Sequence, residues 1–203
     1  MELKKIMMSL LFYLISAFGI SMTIKAGIGV SSFNSLNVSL SNLTEIPIGT
    51  VTSLINLLFL VACFVVDNEK KLVKYILMLL ATLSFGLVIN VVYYSLFKSL
   101  VMTNYLSKLL LFIAGVCIAG FGTGQVVRLA TITFPIEFFC QLVAERTHLS
   151  FSQLRYGVDI SCVVLSLSIS LVFTLPIVIR EGTIMSLLLL SGVINWSKNK
   201  GIL

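Results

Sequence analysis

Six uncharged, strongly apolar stretches fill most of this chain, at residues 6–24, 46–66, 75–97, 109–127, 160–179 and 182–197. A helix that crosses the hydrocarbon core of a bilayer needs about 20 such residues, within a range of about 17–25. Five stretches meet that length. The last is shorter, a mismatch that tilt or local thinning accommodates. Composition agrees: 58% of the 203 residues are hydrophobic and only 11% are charged, against about 25% charged in soluble domains. The expected fold class is an all-α integral membrane protein with six transmembrane helices, forming a single membrane domain over residues 1–203.

Lysine and arginine set the expected orientation. With the N-terminus inside, the cytoplasmic segments hold Lys4, Lys5, Lys70, Lys71, Lys74, Arg128, Arg146, Arg155, Lys198 and Lys200, and the external ones only Lys25, Lys98, Lys108 and Arg180. That bias puts both termini in the cytoplasm. The excess of 14 basic over 8 acidic residues then fits cytoplasmic loops and anionic lipid head groups. No long basic run or aromatic-interleaved basic patch points to nucleic acid. A cleaved signal peptide at residues 6–24 would need a better cleavage site. Cys63, Cys117, Cys140 and Cys162 show no CxxC spacing. They are expected to be buried free thiols acting as small apolar residues. Asn37-Val38-Ser39 and Asn42-Leu43-Thr44 match glycosylation sequons, which carry no meaning in a bacterial chain.

Shifted by 103 residues, the chain overlays itself without a gap. Lys5 and Lys25 bracket the first stretch as Lys108 and Arg128 bracket the fourth. Phe18-Gly19 falls on Phe121-Gly122, Asn34 on Glu137, Thr44 on Thr147 and Asn56 on Asp159. Two copies follow, about 1–100 and about 104–203. Each holds three spans, and an odd number forces the second copy into the membrane upside down. Inverted repeats of this kind build many secondary transporters, with substrate sites near the midplane between the copies.

In each copy a segment too long for a tight turn follows the first span. Read as a helix, GVSSFNSLNVSLSNLTE puts Phe33, Leu36, Leu40 and Leu43 on one face and Asn34, Asn37 and Ser41 on another. TFPIEFFCQLVAER sets Glu137, Gln141 and Glu145 four apart, with Pro135 in the first turn. Either the segments lie in the head-group layer, or they are re-entrant half-helices whose polar faces line a cavity. In the shifted register the fifth span begins near Phe151, so Arg155 and Asp159 fall inside it, four apart on one face. They either pair near the cytoplasmic surface or line a polar cavity. Lys25 and Arg128 read as interfacial anchors, and His148 as a solvated loop residue. Gly19, Thr23 and Gly27, with Gly115, Ala119 and Thr123, give small-residue spacing that lets helices approach closely.

The copy-one connector GVSSFNSLNVSLSNLTEIPIG, the copy-two segment FPIE with Pro135 and Glu137, and the tail REGTIMSLLLLSGVIN with Gly182, Thr183 and Gly192 together resemble the YitT/YczE-type bacterial membrane proteins. In that family the connector reads G-x-S/G-P-x-D before a short helix. Here Ser32 stands in place of the proline and Asn34 in place of the acid. The resemblance implies the fold and, loosely, small-molecule export or transport. The missing acid at Asn34 removes support for any mechanism that needs two carboxylates.

The expected function is a small-molecule membrane transporter of the secondary type, with export as one direction. Its ligand-binding residues are Asn34, Asn37, Asn56, Glu137, Gln141, Arg155 and Asp159, in a polar cavity between the copies. No HExxH, GxSxG or phosphate loop is present, so no enzyme, catalytic residue, cofactor or metal is expected. Expected partners are membrane lipids, an unknown small organic ligand and, for self-association, a homodimer. The expected location is the bacterial plasma membrane. The alternatives are the substrate-binding membrane subunit of an ATP-driven importer, and a regulator or scaffold that transports nothing.

Overall fold

The computed structural model describes residues 3–200, and every regular element among them is helical. In order they are α1 (Leu3–Ala26), α2 (Ser32–Thr44), α3 (Ile48–Val66), α4 (Leu72–Asn90, continued by a π-helical turn, Val91–Leu96), α5 (Tyr105–Leu129), α6 (Pro135–Ala144), α7 (Phe151–Val172) and α8 (Glu181–Asn199). Five of these are long and apolar enough to cross a membrane: α1, α3, α4 with its π turn, α5 and α7. The remaining long helix, α8, has 19 residues. It carries Glu181 and Lys198 at its ends and Thr183, Ser186, Ser191 and Asn195 between them, and it falls outside that set.

Both connector segments are helices, α2 and α6, and Pro135 opens the second at a position where its missing N–H costs nothing. α7 starts at Phe151, well before the apolar stretch at 160. A capping box makes that start: the Ser150 hydroxyl accepts from Gln153 N at 3.3 Å, and Gln153 Oε1 accepts from Ser150 N at 2.8 Å. The first turn of α3 is capped from α4 and its π turn instead. Asn90 Oδ1 accepts from Gly49 N at 2.8 Å and the Tyr94 hydroxyl accepts from Ile48 N at 3.2 Å, satisfying amide groups that a helix start leaves open.

α1 and α5 form the central pair, and their crossing is built on small residues. A Cβ on Gly19 would collide with Ala119 N, and one on Gly122 would lie 2.7 Å from Phe12 O and Ser16 N. The Ser16 hydroxyl meets Thr123 Oγ1 at 2.8 Å and donates to Ala119 O at 3.3 Å. α8 packs on the other side of α5, against Gly120 and Gly124. There the Gln125 amide closes the end of α8 by donating to Ser197 O at 2.6 Å and Lys200 O at 3.0 Å. α4 packs on α1 and α3, α6 on α3, and α2 on α7, while α7 has α2 and α6 as its main neighbours. The core between them is Phe12, Tyr13, Met78, Phe85, Ile89, Val126, Ile132 and their surroundings.

Two expectations about faces need correcting. Cys63, Cys140 and Cys162 are buried free thiols, but Cys117 is exposed. Gly115, Val116, Ala119 and Gly120 take the packed side of α5, and helical periodicity turns position 117 away from it. The two connectors also differ from each other. In α2 the polar residues Asn34, Ser35, Asn37, Ser39 and Ser41 are buried, and Phe33, Leu36 and Leu40 are less so. In α6 the apolar residues Ile136, Phe138 and Leu142 are buried and Gln141 is exposed.

Candidate functional site

Three charged side chains meet where α6 approaches α7. Arg155 and Asp159 share a face of α7, with Nη1 2.7 Å from Oδ1. Glu137, in the first turn of α6, brings Oε1 to 3.7 Å from Arg155 Nε. The three side chains keep only 20–27% of their exposure. Two carboxylates on one guanidinium leave one negative charge in excess. Glu137 Oε2 is buried without a hydrogen-bond partner, and Arg155 Nη1, for all its closeness to Asp159, makes no well-directed hydrogen bond. Burial pushes the Glu137 carboxyl above its ordinary range, while Arg155 pulls it back and Asp159 pushes it further up. The arrangement can hold a proton on Glu137 Oε2.

Other elements close around this cluster. Phe134, the residue before α6, stacks on Tyr13 of α1 with ring centroids 4.1 Å apart, and both rings pack edge-on against Phe85 of α4. The Tyr13 phenol lies within electrostatic reach of Glu137 and beside Thr82, whose buried hydroxyl has no hydrogen-bond partner. Cys140 and Cys162 flank the charges from α6 and α7. Tyr13 and Thr82 were not among the residues expected from sequence. Their one signal was a hydroxyl in the middle of an apolar stretch, where it needs a partner.

The copy-one residues form a second, neutral group. Asn34, Asn37 and Asn56 are all buried. Asn37 Nδ2 donates to Asn34 Oδ1 at 3.5 Å, and Asn34 Nδ2 donates to Ser31 Oγ at 2.9 Å. Asn37 Oδ1 is left without a partner. Asn56 donates to Thr52 O in its own helix at 2.9 Å. Among the described residues no hydrogen bond or ion pair joins this group to the charged one. Gln141 stands apart from both, donating to Glu145 Oε1 at 3.4 Å on the exposed side of α6. The helices carrying the two groups do touch. The Ser39 and Ser166 hydroxyls meet at 2.7 Å between α2 and α7, and Cys63 of α3 donates to Pro135 O of α6 at 3.5 Å. Ser166 is seven residues past Asp159, about 10 Å further along the helix.

Compared with known proteins, residues 3–199 match a family described only as a family of unknown function, DUF6198. The chain is 27% identical over 179 residues to the "Uncharacterized protein YyaS" of Bacillus subtilis (strain 168), covering 87% of this chain and 83% of that protein. No solved structure matches.

Proposed function

The chain belongs to the DUF6198 family, and from that premise we propose that it is a secondary-type transporter of a small organic molecule in the bacterial plasma membrane. In this reading α1, α3, α4, α5, α7 and α8 all span the bilayer, with both termini cytoplasmic. The two copies are inverted repeats. The helix order long, short, long, long occurs twice, and the central crossing supports the relation. Gly19 packs on Gly115 and Ala119, and moving each residue to its partner 103 positions away carries that contact onto Gly122 packed on Phe12 and Ser16. Likewise α2 leans on α7 while α6 leans on α3.

The observation that carries the reading is the Glu137–Arg155–Asp159 cluster. Charges in the body of a membrane protein are costly and mark substrate or proton paths. The equivalent positions of copy one, Asn34, Thr52 and Asn56, are neutral, so the charge lies in one half only. Glu137 is the group that takes and releases a proton during the cycle, Arg155 holds the two acids in place, and the asparagines of copy one offer neutral hydrogen bonds to the substrate.

The test is uptake into proteoliposomes of purified protein under an imposed pH gradient, screened over small metabolites and antibiotics. Gradient-driven uptake that Glu137→Gln abolishes, with folded protein unchanged, is the expected result. Transport by the wild type that Glu137→Gln leaves intact would remove this role for the cluster. Copurification of an ATPase, with no activity by the purified chain alone, would move the protein to the importer class.

A further inference from the structure

Between α3 and α4 runs a groove of about 300 Å3 whose walls include Leu57, Val61, Phe64, Tyr75, Ile76 and Leu79, all of them apolar or aromatic. Leu57 and Phe64 are seven residues apart, so the groove extends about 10 Å along the helices. It begins at the 67–71 turn, and the charges of that turn are arranged unevenly. Asp67 is fully engaged inside the protein: Oδ1 accepts from Glu69 N and Oδ2 accepts from the Tyr75 hydroxyl, both at 2.9 Å. Glu69 is held by Lys71 at 2.6 Å. Lys74 turns away from the groove, its ammonium 3.4 Å from the centre of the Phe138 ring on α6.

Lys70 is the exception. Its ammonium stands 5.2 Å from the centre of the Phe64 ring, which is itself a wall of the groove. An ammonium over an aromatic face keeps its charge available to an anion on its open side. The groove therefore joins a strip of apolar surface to a cation at one end, with Asp67 spent on internal partners and Glu69 paired with Lys71 at the surface.

We propose that this groove holds one anionic phospholipid, an acyl chain lying along Leu57, Val61 and Ile76 and the phosphate resting on Lys70. A free anion would gain the ammonium and leave the apolar walls bare. A zwitterionic lipid would gain the walls, but its own cation offsets the phosphate that would meet Lys70. The anionic lipid satisfies both ends. In the proposed orientation the turn faces the cytoplasmic leaflet, where a surface lysine near anionic lipid adds to binding. The site needs a lipid but does not need transport, so its failure and the failure of the transport reading are separate results.

The test is native mass spectrometry of the full-length protein in detergent, titrated with phosphatidylglycerol or with phosphatidylcholine of the same acyl chains. Wild type should retain one phosphatidylglycerol in preference to phosphatidylcholine. Lys70→Gln should weaken that retention about fivefold, while Lys98→Gln, at the other end of α4, should leave it unchanged. Ile76→Trp, which fills the groove but leaves the charge, should weaken both lipids. Equal retention of the two lipids by wild type would overturn the site, as would equal losses in Lys70→Gln and Lys98→Gln. A dimer that forms only when Ile76 is native, with no bound lipid, would assign the groove to a second copy of the chain and overturn it too.

Discussion

Arg155 is the residue on which the charged cluster turns, because two acids depend on it. Replacing it with leucine leaves Glu137 and Asp159 close together without a counter-charge. Removing one member of a buried pair costs several kcal/mol; the exposure that these side chains keep, 20–27%, brings the expected loss down to about 2–3 kcal/mol. Removing all three charges together, with Glu137→Gln, Arg155→Leu and Asp159→Asn, should cost less than Arg155→Leu alone, since no orphan charge is left. Thermal melting of the two variants in detergent checks the order. The reverse order would mean that the three side chains do not act as a unit. Neutralising only Arg155 and Asp159 is a poor test of function for the same reason, because it strands the Glu137 carboxyl. The sequence register put Arg155 and Asp159 on one face and Glu137 on the preceding helix, and that much was legible. The role of Tyr13 was not, because a lone tyrosine in an apolar stretch does not say which of its neighbours it faces.

At the scale of the helix, glycine means two different things in this protein. Gly19 and Gly122 hold α1 and α5 in backbone contact, whereas Gly157 of α7 and Gly192 of α8 have nothing within 4 Å of where a Cβ would stand. Gly19→Val should therefore destabilise the fold by about 2–3 kcal/mol, through overpacking against backbone that has no room to move. Gly157→Ala should stabilise it by about 0.5–1 kcal/mol, through helix propensity alone. Denaturant titration of helicity separates the two outcomes, and similar effects at both positions would mean that the crossing is not close-packed. Small-residue spacing in the sequence identified the α1–α5 contact. Periodicity also identified α2 as amphipathic and allowed either face to turn inward; the structure buries the polar one. Its one remote hydrogen-bonding partner among the described residues, Ser166, is more than a hundred residues away in sequence, beyond the reach of any local pattern.

For the molecule as a whole, the open question is orientation. In the inverted reading the tip after α2 and the tip after α6 lie on opposite sides of the membrane. Asn42 and His148 mark those tips, and both are exposed. In a cysteine-free background an impermeant thiol reagent applied to intact cells should label Asn42→Cys and leave His148→Cys untouched until the cells are opened. Labelling of both from one side would sink the inverted arrangement. The number of long helices followed from charge spacing, because ionic groups are costly in hydrocarbon and so mark its edges; the start of α7 did not, since Arg155 and Asp159 lie inside that helix. The grouping of polar residues did not follow. The 103-residue shift pairs Asn34 with Glu137 and Asn56 with Asp159, but pairing by repeat says which residues are equivalent, not which ones touch.

The inward polar face of α2 also bears on how the chain is made. Synthesis runs from the N-terminus, and the earlier parts of a chain begin to fold first. When α2 leaves the ribosome, the Ser166 hydroxyl that will meet Ser39, and that itself donates to Ser35 O at 3.2 Å, has yet to be synthesised. Until α7 arrives, Ser39 lacks that partner, while Asn34, Ser35, Asn37 and Ser41 already have partners within residues 31–46; settling into hydrocarbon would strand the Ser39 hydroxyl. In the membrane reading, that part of α2 settles only after three further long helices have been made. The Ser39 environment is thus one that the second half of the chain completes.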